Sequence, residues 1–247
     1  MIRLHRLVEP LDGGELAAPA YPTEWSIADV MSHIGSGAVI MQRRVEDGLA
    51  GRDLPDDFAP SVWDEWNAKP PKDKAVDGLV ADDALVARLA GLSDDERAEL
   101  VVSMGPLKLD ATALVSIRLN EHTLHTWDIE VAREPQATLP SDEVALVVDN
   151  LELIGRFTAR PDDGEPQRIV VRTTAPEREF TIDVGADRVT FAPGAHEVDP
   201  GDGAMELELP AEAFIRLVYG RLDPDHTPAI KGDAAVLDRL RGVFPGP

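Results

Sequence analysis

The chain has 247 residues, a formal net charge of −22 at pH 7 and no cysteine. The excess of Asp and Glu argues against a nucleic-acid partner and an anionic membrane surface, because both need clustered Lys and Arg. The absence of thiols excludes disulfides, thiolate zinc sites and a cysteine nucleophile, so any sulfur chemistry must use an external thiol. The sequence has no signal-peptide pattern and no run near the roughly 20 apolar residues of a membrane span, which predicts a cytoplasmic protein.

Two domains are predicted from the length and from the distribution of the aromatic residues. At 247 residues the chain exceeds the usual size of one domain. All four Trp lie before residue 140, whereas five of the six Phe lie after it. We therefore expect a domain over residues 1–138 and another over residues 139–247.

The first domain is predicted to be helical. Apolar residues recur with helical spacing over residues 2–7, 26–48, 77–90 and 109–132, with loops at 51–60 and 69–74. Ser26 and Asp29 form a capping-box pattern at the start of the second helix, and Pro135 ends the last one. A four-helix bundle is the simplest packing that buries the apolar stripes.

The second domain begins with a helical period and then changes character. Helices are predicted over 141–159, 211–222 and 233–243, and strands over 168–174, 179–184, 188–191 and 205–209. Strands followed by helices favour an α+β domain with its helices on one face of an antiparallel sheet. The whole chain is therefore predicted to be an α+β protein of two domains.

The helix over 109–132 carries the most informative pair of residues. Glu121 and His125 are spaced i, i+4, so both side chains lie on one face, one turn apart. At roughly 100° per residue they fall beside the apolar stripe together with Asp128, whereas His122 points away and outward. Two His and one carboxylate form a known catalytic zinc ligand set, and His33 is the candidate third ligand.

Ordinary interpretations of these residues remain open on the pattern alone. The i, i+4 pair is equally typical of a surface ion pair, although a buried acid beside a buried His is costly unless it is paired or holds a metal. His33 lies on the flank of its helix, where a lone His is usually a core or surface residue. Three further histidines are expected to be solvated: His5, His196 and His226.

Two segments resemble a known family. They are Trp25-Ser-Ile-Ala-Asp-Val-Met-Ser-His33 and Glu121-His-Thr-Leu-His125-Thr-Trp-Asp128. They are similar to the metal-binding segments of the mycothiol-dependent maleylpyruvate isomerase family, a broad group of actinobacterial proteins in the DinB-like superfamily of four-helix bundles. The resemblance implies a divalent metal ion, most commonly zinc, held by His33, Glu121 and His125.

The resemblance extends into the second half of the chain. The stretch from Met205 to Arg221, followed by Ile230-Lys-Gly-Asp233, is similar to that family's C-terminal domain, which resembles sterol-carrier proteins. In the family, an Arg in a Gly-Arg segment of this domain is linked to activity, and the matching residue is Arg221. It could pair with a substrate carboxylate, or it could be a helix-end Arg that satisfies backbone carbonyls.

The leading hypothesis is a mycothiol-dependent metalloenzyme. A thiol bound to the metal would lose its proton and become a nucleophile for cis–trans isomerisation or S-transfer on a small anionic substrate. One alternative is a hydrolase that uses zinc-bound water. Another is a non-catalytic protein with a structural metal and an apolar ligand. We expect a monomer or a small homo-oligomer.

Overall fold

The computed structural model describes residues 2–21, 24–105, 107–194 and 203–246. It divides the chain into two compact units, residues 1–137 and 138–247. His196 lies outside the described residues. None of the helices in the described ranges combines the length and the apolar character that crossing a bilayer requires.

The first unit is mainly helical, with a short hairpin before its last helix. Its elements are α1 (Ile2–Val8), α2 (Gly13–Leu16), α3 (Ile27–Leu49), α4 (Phe58–Asn67), α5 (Pro71–Ala90), α6 (Asp94–Glu99), β1 (Val102–Met104), β2 (Leu107–Leu109) and α7 (Ala111–Val131). Helix α3 packs against α4, α5 and α7, and α1 packs against α5 and α7. This packing buries apolar side chains of α3 in two clusters, one in the N-terminal half of the helix and one in the C-terminal half.

Side-chain caps fix where the two long site-bearing helices begin. The Asp29 amide donates to Ser26 Oγ at 3.1 Å, and the Ser26 amide donates to Asp29 Oδ2 at 3.0 Å. This confirms the capping box predicted at the start of α3. Helix α7 starts after Asp110, whose carboxylate accepts the Ala113 amide at 2.8 Å. Both helices therefore start at positions set by local hydrogen bonds.

The described part of the first unit has helices beyond the four predicted, namely α2, α4 and α6, and one predicted helix starts early. Helix α5 begins at Pro71, six residues before the predicted start. Proline is favourable at the first helical position, because the amide N–H that it lacks would have no partner within the helix. Helix α4 begins at Phe58, inside the loop predicted over 51–60, and ends at Asn67. It is held by Val62 and Trp66, which are 7% and 4% exposed. Its short apolar pattern was too weak to distinguish it from a loop.

The second unit is an α+β arrangement. Its elements are α8 (Ser141–Val147), α9 (Leu151–Thr158), β3 (Gln167–Thr174), β4 (Arg178–Val184), β5 (Val189–Pro193), β6 (Met205–Pro210), α10 (Ala211–Val218), β7 (Lys231–Gly232) and α11 (Ala234–Val243). The strands form one sheet in the order β5-β4-β3-β6-β7. A cluster of aromatic rings joins sheet and helices, and its members are Phe180, Phe191, Phe214 and Phe244.

The sheet is mixed, which corrects the prediction of an antiparallel sheet. Strands β3, β4 and β5 are antiparallel neighbours, but β6 pairs in parallel with β3 from Ile169↔Met205 to Thr174↔Pro210. A parallel pair needs a crossover and not a hairpin, so strand direction depends on a connection that residue patterns do not specify.

Helix α10 ends at Val218, four residues before the predicted end. Gly220 then turns the chain at a φ of +69°.

Candidate metal centre

Three side chains from two helices of the first unit converge. His33 comes from α3, and Glu121 and His125 come from α7. Glu121 Oε2 lies 3.0 Å from Nε2 of His33 and 3.4 Å from Nε2 of His125. One donor atom from each residue lies within 4.8 Å of the other two. The structure thus brings together the three residues that the family resemblance implied as metal ligands.

The site is open on one side and closed on the other. The His33 and Glu121 side chains are 39% and 37% exposed, whereas the His125 side chain is only 9% exposed. The indole of Trp25 forms a wall, with its centroid 5.3 Å from the His33 ring and 6.1 Å from the His125 ring, nearly parallel to the latter. A small molecule can therefore reach the donors from the His33–Glu121 side.

A fully buried carboxylate orients His125. Asp128 is 0% exposed, and its Oδ2 lies 2.8 Å from His125 Nδ1. An ionised carboxylate can only accept, so Nδ1 donates this hydrogen bond. In the neutral ring, Nε2 then carries the lone pair that points at Glu121. Carboxylate backing of this kind is typical of metal-binding histidines, because it fixes both the tautomer and the ring orientation.

The ionisation of the group also suits a cation. Burial alone would raise the pKa of Glu121, but its contacts with His125 and His33 outweigh this and hold the pKa well below its usual range. Burial would lower the pKa of His125, but hydrogen bonds to Asp128 and Glu121 raise it overall. Glu121 is therefore held in the ionised form, in which a carboxylate can bind a metal ion.

The donor set therefore fits a divalent ion. Two imidazole nitrogens face one carboxylate oxygen, and lone pairs that face each other repel unless a proton or a metal ion lies between them. Two His and one carboxylate leave coordination positions free, which distinguishes catalytic from structural zinc sites. The open side of the cluster gives those positions access to solvent.

All three donors precede the boundary between the units, which leads to a test with fragments. Cleavage of the chain between residues 135 and 141 should yield an N-terminal piece that retains a bound divalent ion, because no donor is lost. Metal content is measured by elemental analysis after gel filtration. A C-terminal piece that carries the ion by itself would contradict this placement.

Beside the site lies a buried charged network. Arg118 and His122 of α7 both face Asp82 of α5, at 2.6 Å and 3.1 Å, and Asp82 is 1% exposed. Burial would raise the pKa of Asp82, but contacts with His122 and Arg118 lower it to about 2. The prediction that His122 points outward is wrong. Its side chain is only 13% exposed, and it faces Asp82 of α5.

Asp82 is a residue that the sequence interpretation missed. It lies within an apolar helical run, where a carboxylate is costly to bury without a cationic partner. A carboxylate in an apolar run indicates a buried charged pair, but the sequence could not identify Arg118 as the partner. The other two described histidines are half-buried beside acids, His5 at 2.8 Å from Glu9 and His226 at 2.8 Å from Asp223.

Arg221 lies in the second unit, just after the turn at Gly220. It is 7% exposed, its Nη1 donates to the Tyr219 carbonyl at 2.9 Å, and its amide donates to the Arg216 carbonyl at 2.6 Å. The contact with Tyr219 is one that a helix-end Arg makes when it satisfies a carbonyl. The guanidinium is held in place by the turn that follows α10.

Comparison with known families decides where the chain belongs. Residues 1–130 match the Mycothiol maleylpyruvate isomerase N-terminal domain, and residues 138–239 match the MDMPI C-terminal domain. The chain belongs to the mycothiol maleylpyruvate isomerase family. This membership makes it an enzyme of the mycothiol-dependent isomerase type, as the sequence resemblance predicted.

Solved structures show the same fold. The chain is similar to the crystal structure of the mycothiol-dependent maleylpyruvate isomerase, with a TM-score of 0.65 and 13% sequence identity over 93% of this chain and 88% of that chain. A histidine-to-alanine mutant of that isomerase matches with the same values. No curated protein sequence matches this chain significantly. At this identity the likeness establishes a shared fold of mixed helix and sheet.

Proposed function

We propose that this member of the mycothiol maleylpyruvate isomerase family is a divalent-metal enzyme that uses mycothiol to isomerise a small unsaturated acid such as maleylpyruvate. The observation that carries the proposal is the convergence of His33, Glu121 and His125 in a chain without cysteine. The reactive sulfur must then come from outside, and the solvent-accessible side of the cluster admits it. S-transfer is the related reaction of the same bound thiol.

Each residue has a distinct task in this proposal. His33, Glu121 and His125 hold the ion, and Asp128 keeps the His125 ring in its binding orientation. A zinc ion bound there would supply a Lewis acid that lowers the pKa of a thiol and favours its thiolate form. The Trp25 indole closes the site beside both imidazoles.

The second unit is proposed to supply substrate recognition. Arg221 stands in the Gly-Arg segment linked to activity in the family, and a guanidinium is the side-chain group whose geometry best matches a carboxylate. We also infer that the first unit is a DinB-like four-helix bundle and that the second is related to sterol-carrier proteins. Support for the latter is that strands β6 and β7 of the sheet and helix α10 come from the segments that resemble that domain.

The proposal predicts strict dependence on an external thiol. Purified protein loaded with zinc should isomerise maleylpyruvate in the presence of mycothiol and show only the background rate in thiol-free buffer. Loss of the cis substrate is followed by chromatography, with glutathione as the matched control thiol. Full turnover without any thiol would contradict the proposal and favour a hydrolase that uses zinc-bound water.

A further inference from the structure

One guanidinium nitrogen connects the three long helices of the first unit. Nη2 of Arg118, on α7, donates to Asp82 Oδ1 of α5 at 2.6 Å and to the Ile34 carbonyl of α3 at 3.1 Å. Arg118 and Asp82 are 7% and 1% exposed, so water does not compete for these bonds. We call this set of contacts the Arg118 bridge.

The Arg118 bridge lies directly beside the three metal donors along both helices. Ile34 follows His33 in α3, and Arg118 precedes Glu121 by three residues, which places their side chains on adjacent turns of α7. The bridge therefore joins the turn of α3 that carries one donor to the turn of α7 that precedes the other two.

Gly37 of α3 also lies next to the guanidinium. A Cβ atom placed on Gly37, one turn after His33, would lie 3.4 Å from Arg118 Nη1, at ordinary van der Waals distance. Together with the bond to the Ile34 carbonyl, this places the guanidinium against α3 within one turn of His33.

A bound anion is a poor explanation for this arginine. Its charge is already compensated by Asp82, and both groups are almost fully buried. A stability role alone is also a weak explanation, because buried ion pairs often add no net stability over apolar residues of similar volume. In some proteins, a buried polar or ionic group instead fixes how the elements that it joins are aligned.

We propose that the Arg118 bridge is a positioning device that fixes α7 relative to α3, so that Glu121 and His125 meet His33 at metal-binding distance. This inference rests on the proposed metal site. Loss of the bridge should weaken metal binding by on the order of 10-fold, at the lower end of the range seen when outer contacts of a metal site are removed.

The test uses full-length protein and cobalt(II) as the probe metal. Affinity is measured by competition titration with a chelator, and coordination geometry by the visible absorption of the bound cobalt. The double variant Arg118→Met with Asp82→Asn removes both charges, so neither is left buried and unpaired. Arg118→Lys retains the charge but not the planar fork, and provides a second folded variant.

Asp47→Asn is the matched control. Asp47 is also 1% exposed and also paired with guanidinium groups, Arg43 at 2.7 Å and Arg52 at 2.9 Å. It lies 14 residues beyond His33, near the opposite end of α3. This control should lower the melting temperature of the metal-free protein but leave cobalt affinity and the cobalt spectrum as in the parent.

We expect the double variant to bind cobalt about 10-fold more weakly than the parent, with an altered spectrum, and Arg118→Lys to show a smaller loss in the same direction. Folded variants that bind cobalt with parental affinity and spectrum would overturn the positioning role. A parent protein that binds no cobalt would instead contradict the metal site itself. The two failures are therefore distinguishable.

Discussion

Replacing His125 with Ala should abolish stoichiometric binding of a divalent ion. His125 is the most buried of the three donors and the one held by Asp128, so its removal leaves only His33 and Glu121 at the open side of the site. Catalytic zinc sites use three protein ligands, and the two remaining donors are each more than one third exposed to competing water. Metal per chain, measured by elemental analysis after dialysis, should fall from about one to the background value.

His5→Ala is the control for this variant. His5 belongs to the same unit and also lies next to acids, 2.8 Å from Glu9 and 3.1 Å from Asp83, but it is not among the converging donors. It should retain a full complement of metal. If His5→Ala lost the ion while His125→Ala kept it, the proposed donor set would be wrong.

Replacing Arg221 with Ala should reduce turnover on the order of 100-fold while metal content stays unchanged, because a substrate that is no longer oriented reacts slowly. The chain carries a net charge of −22, so a substrate carboxylate needs a local cation to be retained. Arg221→Lys should restore little, since an ammonium cannot make two parallel hydrogen bonds to a carboxylate. Steady-state rates at saturating thiol, together with metal analysis, measure both effects.

Arg216→Met is the control for loss of a buried guanidinium in the same unit. Arg216 is 2% exposed, and it donates to Glu212 and to the His226 carbonyl at 2.8 Å and 3.0 Å. This variant should lose thermal stability and, while folded, retain turnover. If Arg221→Ala behaved in the same way, the role of Arg221 would be structural, and recognition of the substrate would have to be sought elsewhere.

Local signals were sufficient to predict the elements that carry the metal centre. Helix α3 follows from its apolar period and from the Ser26 cap, and α7 from its period and the proline beyond its end. The i, i+4 spacing placed Glu121 and His125 on one face of α7. Assigning His33 to the same site depended on the family resemblance, because no local pattern relates residues that are 88 positions apart.

The features that were missed depend on contacts between distant segments. His122 lies away from the metal donors, but the sequence does not show that Asp82 of α5 lies opposite its side chain. The parallel pairing of β3 with β6 is likewise a property of chain path and not of strand composition. Helix α4 is stabilised by inserting Trp66 against Gly35, where a Cβ would lie 2.1 Å from the indole ring.

The distance in sequence between His33 and Glu121 has a thermodynamic consequence. An ion held by both would close a loop of 88 residues, and the unfolded chain cannot offer the same ligand geometry. Binding to the folded state alone would add about 2.7 kcal/mol to the free energy of unfolding when free metal exceeds its dissociation constant 100-fold. The ion would then act as a reversible cross-link between α3 and α7, and the stability of the first unit would follow the supply of metal in its surroundings.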